Sequence, residues 1–86
     1  MKSLTSPDFW RAYATLPPAA REAARKAYRL WKQNPHHGPL RFQKRGRYWR
    51  ACFGSGYRAL AVAVPDGYLW FWIGPHDEYE RLLRDL

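Results

Sequence analysis

The chain has 86 residues, of which 47% are hydrophobic and 17% are aromatic, and its fifteen Lys and Arg against seven Asp and Glu give a net charge of +8. This length allows one small hydrophobic core, so we expect a single domain over residues 1–86. Cys52 is the only cysteine, which excludes an intrachain disulfide, and no segment approaches the roughly 20 apolar residues that span a bilayer. We therefore expect a cytoplasmic protein that has no membrane partner.

The positive charge is concentrated in the first 60 residues, which hold thirteen of the basic residues and only two acidic ones. The remaining residues hold two basic and five acidic side chains. A strongly basic surface attracts polyanions, and basic residues spread over several elements favour nucleic acid over a membrane. A basic domain without a polyanionic partner is the alternative.

Two helices are predicted in the N-terminal part. Ser6 is suited to cap a helix that has Pro7 in its first turn and ends at Leu16. A second helix is expected from Pro18 to about Gln33, where an Asn-Pro pair stops it. Small and apolar residues form one stripe of this helix, and basic residues form the opposite face. Its basic residues are Arg21, Arg25, Arg29 and Lys32. This face is either a solvated surface or a binding site for RNA backbone or an acidic protein.

The segment 40–73 predicts four strands, over residues 40–44, 48–53, 57–64 and 68–73, separated by turns that contain glycine. Because these connections are short, consecutive strands should pair in an antiparallel sheet. Strand alternation places Leu69, Phe71 and Ile73 on one face of the last strand and Tyr68, Trp70 and Trp72 on the other. Both faces are apolar, so the sheet is either covered on both sides or leaves one face for another protein.

The last strand is expected to end at a Gly74-Pro75 break that turns the chain outward. A short final helix follows over residues 77–86, with Asp77 either as its N-cap or as a carboxylate that orients His76. The side chains that would dock this helix on the sheet are Tyr79, Leu82, Leu83 and Leu86. The predicted fold class is α+β, with an N-terminal helical hairpin packed on a four-stranded, mainly antiparallel sheet and a short C-terminal helix.

Three stretches and the order of these elements resemble the RelE/ParE superfamily of type II toxin–antitoxin toxins, over nearly the whole chain. The stretches are residues 40–42 (LRF), 56–60 (GYRAL) and 70–79 (WFWIGPHDEY). The resemblance implies a RelE-like fold and a small cytoplasmic toxin that a cognate antitoxin protein neutralises. Toxins of this kind usually cleave messenger RNA on the ribosome, without a cofactor, and one branch inhibits DNA gyrase instead. An inactive basic RNA-binding domain is a further possibility.

Metal-free cleavage of RNA needs a base for the 2′-hydroxyl, cations for the phosphate and an acid for the leaving 5′-oxygen. Arg58 is the best candidate to bind phosphate, since a guanidinium can donate two hydrogen bonds to it. The resemblance also gives Arg58 a catalytic role, and the alternative is a salt bridge to Asp77 or Glu78. His76 is the candidate for proton transfer because imidazole titrates near neutrality. Tyr79 is either a supporting acid or base-stacking ring, or part of the core.

The strand over residues 48–53 departs from the family pattern. Trp49 and Ala51 are expected on the face where RelE-type enzymes carry catalytic lysines, and Cys52 stands where many relatives have Arg or Lys. Arg50 is the only basic residue of this strand, and it is a catalytic candidate if it shares a face with Arg58. Cys52 itself is expected to be a small buried hydrophobe. Further phosphate-binding candidates on the neighbouring turn are Lys44, Arg45 and Arg47.

His36 and His37 are adjacent on a loop flanked by prolines, with no cysteine or third ligand nearby. Four-coordinate metal sites need more ligands than this pair supplies. The sequence therefore predicts a structural loop here and no metal site.

Overall fold

The computed structural model describes residues 2–85, which form three α-helices and a five-stranded mixed sheet. The helices are α1 (Pro7–Ala14), α2 (Pro18–Gln33) and α3 (His76–Asp85), and a 3₁₀ turn covers Gly38–Leu40. The strands are β1 (Lys2–Thr5), β2 (Gln43–Arg45), β3 (Tyr48–Phe53), β4 (Tyr57–Val64) and β5 (Gly67–Pro75). They lie in the order β1-β5-β4-β3-β2, and β1 runs parallel to β5 while the other pairs are antiparallel. The structure agrees with the predicted α+β class, but the sheet is larger than predicted.

Strand β1 is the addition to the predicted four-stranded sheet. Three of its four residues are polar and Leu4 is exposed, so neither apolar alternation nor length identifies it in the sequence. Its pairing depends on Gly67, where a Cβ atom would lie 2.7 Å from the carbonyl carbon of Lys2 and 2.8 Å from its nitrogen. The Lys2 N–H also donates to the Asp66 carbonyl at 2.7 Å. The first residues of the chain are thereby joined to the start of β5.

The predicted bounds of α2, β3 and β4 are confirmed. Ser6 caps α1 as predicted, since its hydroxyl accepts a hydrogen bond from the Phe9 N–H at 3.3 Å, but α1 ends two residues before Leu16. Strand β2 begins at Gln43 and not at residue 40, because Arg41 adopts left-handed backbone with φ of 46° and interrupts the extended chain.

The expected break at Gly74-Pro75 is wrong, because β5 continues through both residues into α3. Pro75 is the cross-strand partner of Tyr57, and the His76 N–H donates to the Gly56 carbonyl at 2.8 Å. The last helix therefore starts at His76, directly against the turn between β3 and β4.

A β-bulge in β5 overturns the predicted assignment of its two faces. Leu60 pairs with Trp72 while the next residue of β4 pairs with Trp70, so Phe71 is an extra residue. Trp70 and Ile73 consequently share the face that carries the helices α1 and α2, and both are buried there. Phe71 lies on the other face, where its ring centroid is 5.6 Å from that of Tyr48.

Both faces of the sheet are covered. On the helical side, α1 and α2 enclose the main core, whose largest members are Trp31, Phe42, Phe53 and Trp70. On the other side α3 packs against β4 and β5, with Tyr79 only 4% exposed and Leu60 fully buried. Leu82 and Leu83 are half-buried on the same helix, and Leu86 lies outside the described residues. The structure thus matches the alternative in which the sheet is covered on both sides, by the N-terminal helices on one face and by α3 on the other.

Candidate nucleic-acid interface

Arg50 and Arg58 lie on the same face of the sheet. Their strand neighbours Ala51 and Ala59 belong to the core under α1 and α2, so alternation directs both arginines to the opposite side, where α3 lies. Cys52 is the cross-strand partner of Arg58, and Arg50 is two residues from Cys52. The two arginines are therefore diagonal neighbours, a relation that places Cα atoms about 7–8 Å apart.

Both arginines have unused hydrogen-bonding capacity. Arg58 Nη1 donates to the Tyr57 carbonyl at 3.0 Å, and Arg50 Nη2 donates to the Gln43 side-chain oxygen at 3.3 Å. The Nε atom of each is buried without a hydrogen-bond partner, and the ion pairs within residues 2–85 include neither side chain. The alternative salt bridge from Arg58 to Asp77 or Glu78 is thus not formed. Buried donors of a charged group normally have a hydrogen-bond acceptor. A phosphate group would provide several acceptor oxygens for these arginines.

His76, the first residue of α3, continues the same diagonal just beyond the end of β5. Gly74, two residues earlier in β5, is the cross-strand partner of Arg58. The His76 N–H donates to the Gly56 carbonyl just before β4, so the histidine lies diagonally from Arg58. The imidazole is 46% exposed, and its Nε2 lies 3.3 Å from Glu80 Oε1. Asp77 lies within the first turn of α3, which begins one residue earlier than expected, so Asp77 is not its N-cap. The carboxylate paired with the imidazole is that of Glu80 and not that of Asp77. Glu80 occupies the orienting position instead.

Tyr79 is held in the interior. It is 4% exposed, and its ring centroid is 6.1 Å from that of His76. This position matches the core alternative, because a ring so deeply covered cannot stack on an incoming base. Its hydroxyl is the only part that could contribute to proton transfer.

A second group of cations meets Arg58 at the edge of the sheet. Strand β2 pairs with residues 48–50 of β3, so the end of β3 beyond Arg50 has no strand partner on that side within residues 2–85. A cleft of about 590 Å³ opens there between α2 and the Leu40–Arg41 turn, and its cationic lining residues are Lys26, Arg41 and Arg58. Sequence reasoning missed Lys26 and Arg41. They are far apart in the chain and carry no local motif, although the left-handed Arg41 lies within the family-like residues 40–42.

The hairpin formed by β2 and β3 carries three more exposed cations at its far end, Lys44, Arg45 and Arg47. Arg45 Nη2 donates to the same Gln43 oxygen as Arg50, at 2.8 Å. At about 3.3 Å per residue, the length of β3 separates this turn from the Arg58 end by roughly 17 Å. These side chains extend the basic surface without joining the Arg58 diagonal.

The basic residues of α2 are partly engaged by their neighbours. Arg21 Nη1 donates to the Leu16 carbonyl at 3.2 Å, and Lys32 Nζ lies 5.6 Å from the ring centroid of Tyr28. Arg25 bonds Glu22 and the Tyr13 hydroxyl, each at 2.7 Å, and the Glu22 hydrogen bond, followed by that of Tyr13, raises the pKa of its guanidinium. Arg29 is exposed. Arg25 therefore joins α1 to α2 as well as adding charge.

Several other expectations concern side chains near the site. Trp49 and Ala51 face the helical core, which leaves Arg50 as the cation that β3 supplies to the Arg58 face. Cys52 is half-buried. Within the part of the chain that the structure describes, no three His, Cys, Asp or Glu side chains are grouped to hold a metal ion, and no helix has the length and apolarity to cross a membrane.

No protein family, curated protein or solved structure gives a significant match to the chain. The likeness to the RelE/ParE superfamily therefore depends on the motifs and element order of the sequence. The geometry defines an α+β domain with a diagonal of two arginines and a histidine on one face of its sheet. Such a diagonal can bind a phosphate through its guanidiniums and exchange a proton through its imidazole.

Proposed function

We propose that this protein is the toxin of a type II toxin–antitoxin system, with a RelE-like fold, and that it is an endoribonuclease (mRNA interferase) that cleaves messenger RNA on the ribosome. Its partners are then a cognate antitoxin, the ribosome and messenger RNA, and translation is inhibited by loss of the message. The net charge of +8 supports a polyanionic partner.

The observation that carries this proposal is the Arg50–Arg58–His76 diagonal. The two guanidiniums have buried Nε donors without partners in the described chain, and the imidazole on the same diagonal is exposed and lies 3.3 Å from Glu80. A phosphodiester placed across the diagonal satisfies the free donors, because phosphate oxygens accept bidentate hydrogen bonds from arginine. The same placement puts the leaving oxygen near His76.

In the proposed reaction the 2′-oxygen attacks the neighbouring phosphorus and the bond from phosphorus to the 5′-oxygen breaks. The products are a 2′,3′-cyclic phosphate and a free 5′-hydroxyl. Arg50 and Arg58 stabilise the charge that grows on the phosphoryl oxygens. Protonated His76 gives its proton to the leaving 5′-oxygen, and the proton of the 2′-hydroxyl passes to solvent. The cations of the reaction are arginines, so it requires no bound metal.

Growth of cells that express single variants tests the assignment. We expect Arg58→Ala and His76→Ala to relieve growth arrest. A group that stabilises developing charge contributes about 10²–10³-fold to rate, and a general acid contributes about 10²–10⁴-fold. Arg11→Ala is the matched control, because Arg11 is exposed on α1 and pairs with Asp8. Primer extension on messenger RNA from the same cells should show cleavage with the unaltered protein and the control only. If both site variants still arrest growth and cleave RNA, the site is wrongly assigned.

A ParE-like inhibitor of DNA gyrase, without catalytic activity, is the second candidate. It is supported by Cys52, which is the cross-strand partner of Arg58 and stands where many relatives have Arg or Lys, so that Arg50 is the cation of β3 on the Arg58 face. This candidate predicts a DNA-damage response after induction and intact messenger RNA. An inactive RNA-binding domain predicts harmless expression together with RNA affinity that falls with salt.

A further inference from the structure

A cavity of about 410 Å³ lies on the other side of the sheet, between α1, α2 and the strands. Its lining is mainly apolar. The aromatic rings in the lining include Phe9, Trp10, Tyr13, Tyr28, Trp31 and Trp70. Trp10 and Tyr28 are also 52% and 40% exposed, so they form a rim that solvent reaches, while the deeper residues belong to the core.

Three residues of this cavity carry buried polar atoms without hydrogen-bond partners among residues 2–85. They are Ser3 through its hydroxyl oxygen and Trp31 and Trp70 through their indole Nε1 atoms. Trp31 is 2% exposed and Trp70 is 5% exposed, and their rings meet nearly perpendicular with centroids 5.3 Å apart. Buried indole N–H groups usually have an acceptor. The cavity therefore combines apolar walls with unmet donors.

We propose that this cavity binds a small, planar, neutral molecule that has an apolar body and a hydrogen-bond-accepting oxygen, such as an aromatic ketone. Ligand pockets typically have apolar and aromatic walls with a few polar groups that fix orientation, which is the composition found here. The ligand is neutral because Arg25, the cation of the lining, is already bonded to Glu22 and Tyr13. The site does not depend on the proposed nuclease, since Arg50 and Arg58 lie on the opposite face.

Acetophenone and α-methylstyrene test this proposal, because they share a shape and differ in a carbonyl oxygen against a methylene group. Each is titrated into ¹⁵N-labelled protein while the indole N–H resonances are followed. We expect acetophenone to bind about three- to tenfold more tightly, which is the range of one net hydrogen bond. The resonance of Trp31 or Trp70 should shift with acetophenone and move much less with α-methylstyrene.

Variants assign the effect to the cavity. Trp70→Phe and Trp31→Phe should each be compared with Trp72→Phe, which alters a tryptophan on the α3 side of the sheet and outside the cavity lining. The ratio of the affinity for acetophenone to that for α-methylstyrene should fall toward one in at least one cavity variant and should be unchanged in the control. If a core variant does not fold, Ser3→Ala is the substitute, because it removes the third donor and lies on the edge strand β1. Equal affinity for the two probes, no binding of either, or shifts confined to Trp10 would each overturn the proposal.

Discussion

At the scale of single residues, the candidate roles are distinguished better by hydrogen bonding and burial than by residue type. Arg50 and Arg58 each retain a buried donor without a partner in the described chain, which is the property expected of a side chain that awaits a ligand. Tyr79 has the opposite property, because its ring is covered by the sheet and α3. These properties support the proposed site of two arginines and a histidine, with Tyr79 as a packing residue beside it.

Substitution of Tyr79 distinguishes a packing role from a chemical one. We expect Tyr79→Phe to keep both stability and growth arrest, since the buried ring is retained. Tyr79→Ala should lower the free energy of unfolding by about 3–5 kcal/mol because it leaves a cavity under α3. Urea denaturation measures the free energy of unfolding, and growth after induction measures whether the variant still arrests growth. A Phe variant that folds normally but fails to arrest growth would assign the hydroxyl to the reaction.

At the scale of elements, the pairing of β1 with β5 and the bulge at Phe71 determine what each face of the sheet presents. The bulge puts both Trp70 and Ile73 under the helices and leaves Phe71 with Trp72 on the α3 side. Gly74 belongs to this arrangement, since a Cβ there would lie 2.5 Å from the Trp72 ring. Glycine is thus required where the indole lies over the strand.

Gly67→Ala should release β1 from the sheet. The added methyl group meets the backbone of Lys2, and overpacking of this kind costs about 1–3 kcal/mol. Amide hydrogen exchange should become faster at Lys2 and Ser6, whose N–H groups donate to Asp66 and Trp70. Gly38→Ala is the control, because nothing lies within 4 Å of its added Cβ. Unchanged protection at both amides in Gly67→Ala would show that β1 tolerates the methyl group.

At the scale of the whole molecule, the two sides of the sheet have separate properties. The Cα radius of gyration is 11.9 Å, close to the roughly 12 Å expected for a compact chain of this length. The α3 side carries the Arg50–Arg58–His76 diagonal, and the cleft with Lys26 and Arg41 extends the positive charge around the edge of the sheet. The helical side holds the aromatic cavity.

Binding of single-stranded RNA should weaken strongly with salt. Each phosphate contact contributes about −0.7 to the slope of log K against log salt concentration, because bound counterions are released. Arg50→Gln and Arg58→Gln should each reduce the magnitude of this slope by about 0.7, whereas Arg11→Gln should leave it unchanged. Fluorescence anisotropy with a labelled oligonucleotide measures the slope. Identical slopes for all three variants would place the phosphate contacts elsewhere on the molecule.

Much of the fold could be predicted because local signals are strong. Pro18 and the Asn34-Pro35 pair bound α2, and glycine-containing turns bound β3 and β4. Strand β1 could not be predicted, because its short polar sequence has no apolar alternation and its partner is more than 60 residues away. For the candidate site, Arg58 and His76 were identified from turn position and residue chemistry, while Lys26 and Arg41 carry no comparable signal.

The amino-acid sequence by itself determined the element types, the main boundaries and the excess of positive charge. These properties follow from turn chemistry, periodicity and composition, which act over a few residues. Only the tertiary structure decided that Arg50 shares a face with Arg58, that Tyr79 is buried and that Phe71 forms a bulge. Those outcomes depend on cross-strand register and on which helix covers which face. Register and packing arise between residues distant in the chain, so they become visible only when the chain is folded.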